Sequence, residues 1–432
     1  MRLTTLLALT MLLLTSVARA DDWPQWRGPT RDGVWHEDGL VERFAHEQIP
    51  IKWRAEISGG YSGPTVADGR VYVTDRVTNP TQQERVLCFH AETGEPLWTH
   101  AYDCDYSRVG YETGPRASVS IDEGRAYSLG TMGHLVCLDG TSGDVVWKLD
   151  LNEKYKLRYD SAWWGVSASP LVDGDLLIVQ VGGEKDTAVV AFDKRTGEER
   201  WRALDELASY SAPLVIEQAG RRVLVCWTGG SIAGLDPATG EVLWRVDFPP
   251  RRMVLGVASP VVEGSNLFAT GFYDGSMLLR LGQDEPTAEQ VYHRRGRSET
   301  DTDALHSIMS TPLMIDGYVY GVDSYGELRC LEAETGDRVW ESGDAVPGGR
   351  WSTIHFVRNG ENVWMFNERG ELIIARLSPQ GYEELSRARL IEPTTGQLEQ
   401  RGGVCWAHPA YAGKCVFARN DKELVCADLS AR

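Results

Sequence analysis

Adjacent cysteines, any excess of positive charge and, beyond the first twenty residues, long apolar runs are all missing from this 432-residue chain. Each absence excludes something. A phosphate backbone selects stripes of Lys and Arg. Here 44 scattered bases face 62 acids for a net charge of −18, so no nucleic-acid partner is expected. No later apolar run reaches the roughly 18 residues of a membrane-crossing helix, so no transmembrane span is expected. His-Glu-x-x-His, Gly-x-Ser-x-Gly, phosphate-cradling glycine loops and paired Cys/His spacings are also missing. The local signatures of zinc and serine hydrolases, nucleotide binding and zinc ribbons are therefore absent, and no metal ligand set is assigned. The lone Asn-x-Thr, Asn79-Pro80-Thr81, is disqualified as a glycan acceptor by its proline.

What is present begins with an export signal. Arg2 precedes an apolar run from Leu6 to Leu14, and Ala18-Arg19-Ala20 offers a small-residue cleavage site. Residues 1–20 read as a signal peptide. No cysteine follows it, so no lipid anchor is expected, and the mature chain is placed in the periplasm or outside the cell as a soluble protein. Residues 21–47 form an N-terminal extension, and residues 48–432 form one repeat domain.

Eight cysteines in an exported chain invite disulfides. Cys88, Cys137, Cys330 and Cys426, however, occupy one equivalent strand position in four repeats. Equivalent positions around a ring lie too far apart for a bridge, so these four read as small buried apolar residues. Of the remainder, Cys405 and Cys415 are the candidate pair across one hairpin.

The repeat is explicit. Ala91-Glu-Thr-Gly-Glu-Pro-Leu-Trp98 returns as Asp139–Trp147, Asp193–Trp201, Asp236–Trp244 and Glu332–Trp340. The copies close stretches that open with a proline and an apolar strand, as at Pro64 and Pro170, and further such stretches begin at Pro213, Pro260 and Pro312. Short apolar runs separated by Asp-Gly and Thr-Gly turns are β-hairpins, with glycine supplying the positive φ. Each unit holds about four strands and cannot bury both faces alone, so units stack radially into a propeller. Tryptophans 53, 98, 147, 201 and 244 are separated by 45, 49, 54 and 43 residues. A degenerate copy lies near Tyr292, and another runs from Ile354 to about Leu385. Ile51–Arg54 reads as a last strand without a blade, and Val404–Leu429 as a blade without a last strand. The expected fold is all-β: an eight-bladed β-propeller of four-stranded antiparallel blades, closed by the N-terminal strand.

The phrase A-x-D-x-x-T-G-x-x-x-W resembles the tryptophan-docking repeat of quinoprotein (PQQ-like) alcohol dehydrogenases and of the BamB outer-membrane assembly lipoproteins, over roughly residues 50–430. Trp23-Pro-Gln-Trp-Arg-Gly-Pro29 is similar to the start of many exported quinoprotein-like propellers. The resemblance implies that Trp98, Trp147, Trp201, Trp244 and Trp340, with Trp53 at the closure, pack between blades as structural residues. It implies two functions. One is a non-catalytic binding or scaffold propeller in the envelope that recognises an envelope protein, with a carbohydrate ligand permitted by the aromatic residues of its mouth. The alternative is an alcohol or sugar dehydrogenase using pyrroloquinoline quinone (PQQ) with calcium. The missing Cys-Cys pair, the missing haem motif and the compact length count against the dehydrogenase, so no cofactor is assigned.

Propeller sites are assembled from several blades, so missing local motifs do not exclude an enzyme. Loops from an outer strand to the next inner strand bracket the channel and form its mouth. They carry Tyr61, Arg116, Trp163, Trp164, Tyr210, His306, Trp351, Arg401 and Trp406, the candidate ligand or partner residues, with Tyr106, Arg108, Tyr111, Tyr159 and His408 nearby. Aromatic faces and Arg forks suit sugars, peptides or a quinone carboxylate. Asp301, Asp303 and His306 are a weaker cation candidate, lacking the Gly and terminal Glu of a calcium loop.

Overall fold

A computed structural model describes residues 22–431 except 108, 159–162 and 395–400. The signal segment 1–20, Arg108 and Tyr159 therefore lie outside the described residues. The described residues form eight four-stranded antiparallel sheets, with one short helix, Leu151–Tyr155, between two of them. Seven blades are continuous in sequence: 65–103, 120–150, 171–203, 214–247, 261–294, 313–342 and 354–389. The eighth is composite. Its three inner strands, Ala410–Ala412, Cys415–Arg419 and Glu423–Asp428, are completed by Ile51–Glu56, which pairs antiparallel with Glu423–Asp428. Joining the two ends of the chain in one sheet removes the open edges that a ring would otherwise expose. Among the described residues, no helix is long and apolar enough to cross a membrane.

The blades are joined by tryptophan. The indole N–H of Trp53 donates to the Ala91 carbonyl at 2.9 Å, Trp98 to Gly140 at 3.1 Å, and Trp147 to Lys194 at 3.0 Å. Trp201 donates to Pro237 at 3.0 Å and Trp340 to Ser378 at 2.8 Å. In each case the acceptor belongs to the following blade, and Trp53 docks the composite blade onto the first. Tyr292 replaces tryptophan in the fifth blade and reaches the equivalent Ala333 carbonyl with its hydroxyl at 3.0 Å. Trp244 departs from the pattern, donating to Gln218 of its own blade.

The register explains the cysteines. Cys88, Cys137, Cys330 and Cys426 stand directly across the strand pair from Trp98, Trp147, Trp340 and Trp53. Ala191 and Gly234 fill the same position opposite Trp201 and Trp244. A small residue is needed there because the ring lies over it: a Cβ built on Gly234 would meet Trp244 at 2.2 Å. All eight cysteines are free and buried, so the candidate Cys405–Cys415 bridge is not formed.

The extension crosses the inside of the ring. Trp23 exchanges two backbone hydrogen bonds with Val66 on an inner strand, at 2.8 and 2.9 Å. Arg31, buried and without a carboxylate partner among the described residues, donates to the carbonyls of Ser169, Pro170 and Pro213 at the entrances to blades three and four. Burial pulls its pKa down to about 9. Trp26 donates to Ser259 Oγ at 3.1 Å.

Docking makes a testable distinction between two glycines. Gly69 and Gly94 share a left-handed φ, +72° and +74°, but a Cβ at Gly69 meets nothing within 4 Å, whereas one at Gly94 would lie 2.5 Å from Trp53. Gly69→Ala is expected to cost roughly 1–2 kcal/mol for the conformation alone. Gly94→Ala adds about 1–3 kcal/mol of overpacking at the ring closure. Urea unfolding of the two variants reads the difference, and equal midpoints would refute Trp53 as the closing wedge.

Candidate functional site

Inner strands begin next to one another around the channel, so the loops that feed them converge. They surround a pocket with about 900 Å³ of empty space, part of it open to solvent. Six of the nine candidate mouth residues line it: Tyr61, Arg116, Trp164, Tyr210, Trp351 and Trp406. They arrive from the entry loops of six different blades. Trp26, brought in by the extension, closes the inner end against His408, with ring centroids 5.2 Å apart.

The aromatic wall is continuous. Trp164 packs on Tyr210 at 5.2 Å, Tyr111 reaches both Trp164 and Trp351 at 5.7 Å, and Trp406 stacks on Tyr61 at 6.2 Å. Two wall residues hold backbone conformations that large side chains rarely adopt, Tyr111 at φ 57° and Trp351 at φ 70°. Each such residue costs of order 1–3 kcal/mol, and strain of this kind clusters at ligand sites. The Trp351 indole N–H is buried with no hydrogen-bond partner. Buried donors are normally satisfied, so this one asks for an acceptor from outside the chain.

Arg116 is the cation of the site. Its guanidinium donates to the carbonyls of Gly110 and Tyr111 at 2.8 and 2.7 Å and to Gly114 at 3.1 Å, and lies over the Tyr61 ring at 5.2 Å. It makes no ion pair among the described residues, and burial lowers its pKa. No Asp or Glu is among the described residues lining the cavity. The chamber is thus apolar and aromatic with one positive charge that no carboxylate pairs directly among the described residues. It suits a flat or apolar group bearing a hydrogen-bond acceptor or a negative charge.

Three candidate residues lie elsewhere. Trp163 turns outward and is 60% exposed on the rim. His306 is buried away from the chamber, accepting from the Gly296 N–H at 3.0 Å and sharing 3.0 Å with the Phe272 carbonyl; Ile308 and Met309 take its place in the wall. Arg401 is drawn aside by the buried Glu368, at 2.5 Å, and also donates to the Arg350 carbonyl and to Ser352 Oγ. It props the loop that carries Trp351 rather than facing the chamber. The cation candidate does not assemble either. Arg294 forks onto Asp303, Arg297 pairs with Asp301, and His306 is spent on backbone.

Trp26, Ser167, His355 and Met309 join the lining without being candidate mouth residues. Trp26 stands in the opening motif Trp23–Pro29, but nothing local points it, Ser167, His355 or Met309 into the chamber, because each acquires its role from the ring geometry.

Residues 82–342 match the family model described as outer membrane protein assembly factor BamB. The chain belongs to the BamB-type family of PQQ-like propellers. It is similar to the outer membrane protein assembly factor BamB of Yersinia pestis, 24% identical over 48% of this chain and 52% of that protein. A second relative, BamB of Burkholderia pseudomallei, is 23% identical over 83% of this chain and 87% of its own length. The chain thus spans about half the length of the first of these relatives. The crystal structure of the quinohemoprotein alcohol dehydrogenase from Comamonas testosteroni superposes with a TM-score of 0.66 at 13% identity, covering 95% of this chain and 81% of that one. At that identity the likeness speaks for the fold.

The inner end of this BamB-type chamber is set for neutrality. His355 and His408 lie 5.0 Å apart, both buried. Burial pulls His355 down to about 4 and His408 well below the usual imidazole range. Both rings are therefore uncharged near pH 7. The unfolded chain takes up protons below about pH 6.5 that the folded His355 refuses until about pH 4, so stability is lost as pH falls through that window. His355→Gln, which still offers a donor to the Trp406 carbonyl, is expected to flatten this acid dependence by about 3 kcal/mol in total. Denaturant unfolding between pH 7 and about pH 4 checks it, and an unchanged slope would refute the assignment.

Proposed function

We propose that this chain is an exported, non-catalytic binding propeller of the cell envelope that engages a protein partner through the loops around its mouth. The observation that carries this reading is the chemistry of the chamber: an aromatic wall, one unpaired Arg116 and no carboxylate among its described lining residues. Such a lining holds a peptide side chain or a chain-terminal acid by stacking and charge. Its two imidazoles, His355 and His408, are held at backbone carbonyls and lowered by burial, which makes them weak general bases for an alcohol. Sequence likeness to outer membrane protein assembly factors over half of the chain or more supports the same direction.

The alternative is a calcium–quinone dehydrogenase, and the residues present do not fit it. Calcium takes six to eight oxygen ligands, carboxylates foremost. The described lining supplies only hydroxyls, indoles, imidazoles and a guanidinium besides aliphatic groups. No two cysteines are adjacent in the chain.

Two measurements test the proposal. Mature protein mixed with pyrroloquinoline quinone and calcium, then desalted, is expected to retain no quinone absorbance; absorbance retained and bleached by an alcohol would overturn the reading. A photo-crosslinking amino acid at the exposed rim position Trp163 is expected to capture an envelope protein in the cell, with none captured at Val242 on an outer strand. Capture at Val242 alone would move the interaction off the mouth.

A further inference from the structure

A second constellation lies outside the chamber, between the first two blades. Glu84 is the second residue of the strand Gln83–His90, Cys104 follows the strand Pro96–Asp103, and His134 opens the strand His134–Asp139 of the next blade. Far apart in sequence, they are brought together by docking of one blade on the next. A carboxylate oxygen, the thiol sulfur and an imidazole nitrogen all lie within 4.8 Å of one another, with Cys104 Sγ 3.8 Å from His134 Nδ1. Among the described residues, this is the one such group of three.

We propose that Glu84, Cys104 and His134 bind a divalent transition-metal ion of the zinc type, fastening blade one to blade two. Three observations carry it beyond proximity. First, the donor set is a cysteine thiol, an imidazole and a carboxylate, and zinc takes all three ligand types from proteins, the thiol as thiolate. Tetrahedral bond lengths place such ligand atoms about 3.3–3.6 Å apart, so closing onto an ion needs movements of about 1 Å. His134 is only partly buried and can supply that movement, while leaving a fourth position open towards solvent. Second, Glu84 is 1% exposed and makes no direct ion pair among the described residues, the Arg116 guanidinium attracting it only at longer range. It is held by the Tyr102 hydroxyl at 2.5 Å, the Tyr106 hydroxyl and the Thr131 N–H at 3.0 Å. Buried charges are normally paired or bind metals. Third, the Met132 backbone N–H favours the Cys104 thiolate, opposing the burial and the Glu84 charge that raise the thiol's pKa, as an outer donor of the kind that stabilises a metal-bound ligand. Carboxylate and thiolate together carry two negative charges, which a divalent ion neutralises as the thiol proton passes to solvent.

The contact that competes with this reading is a plain thiol–imidazole hydrogen bond beside a buried acid. Cobalt(II) separates the two. Chelator-stripped mature protein, titrated with cobalt, is expected to take up one equivalent. Thiolate-to-cobalt charge-transfer absorption in the near ultraviolet and strong four-coordinate bands in the visible should follow, all bleached by one equivalent of zinc. Zinc is expected to raise the unfolding temperature of the wild type. Cys104→Ser and His134→Ala are expected to lose the spectrum and the stabilisation while keeping the circular dichroism of the stripped wild type. Because His134 sits at a partly open position, its variant decides the matter if Cys104→Ser does not fold. No charge-transfer band at one equivalent, or a band that survives His134→Ala, overturns the site.

Discussion

Everything in this molecule leans on one contact: an indole ring laid over the glycine turn of the next blade, with its N–H on a carbonyl of that turn. A Cβ on Gly94, Gly143, Gly197 or Gly240 would come within 3 Å of the tryptophan above it. The same ring forces a small residue across the strand pair, which is why cysteine, alanine and glycine recur there. A four-stranded blade has two apolar faces and too few residues to cover either. Docking each blade onto the next covers both and also fixes their mutual rotation. Closure follows when Trp53, on a strand from the other end of the chain, repeats the contact with the first blade.

The mouth is a by-product of that closure. Eight inner strands begin in a circle, and the loops entering them have nowhere to go but over its rim. In an ordinary ring the channel would run through. Here the N-terminal extension enters it, with buried Arg31 capping inner-strand carbonyls and Trp26 closing the chamber. Depth comes from the plug and lining from the loops. The strained backbones of Tyr111 and Trp351 indicate that the surrounding packing forces these rings inward against their own conformational preference.

Membership in a fold family shared with quinoprotein dehydrogenases says little about chemistry, because function belongs to the site. The chamber has no described carboxylate, its imidazoles are buried and neutral, and its one guanidinium is unpaired. The cluster of Glu84, Cys104 and His134 shows the same economy in another place: docking two blades sets side chains from distant strands against one another without any local motif.

The sequence by itself determined the ring. Thr-Gly-x-x-x-Trp at near-constant spacing states strand, turn and docking partner together, because all three interactions are local or one blade away. It also announced the closure, through orphan strand Ile51–Arg54 and the incomplete last unit, and the degenerate blade whose Tyr292 does the work of tryptophan. Six mouth residues were legible for the same reason: position before an inner strand fixes where a loop emerges. Side-chain direction was not. Trp163 and Trp164 are neighbours, yet one faces solvent and the other the chamber. His306 and Arg401 are turned away by Gly296 and by buried Glu368, partners many residues distant. The floor of Trp26, His355 and His408 joins the two ends of the chain. Such contacts exist only once the ring has closed, so tertiary structure alone decided them.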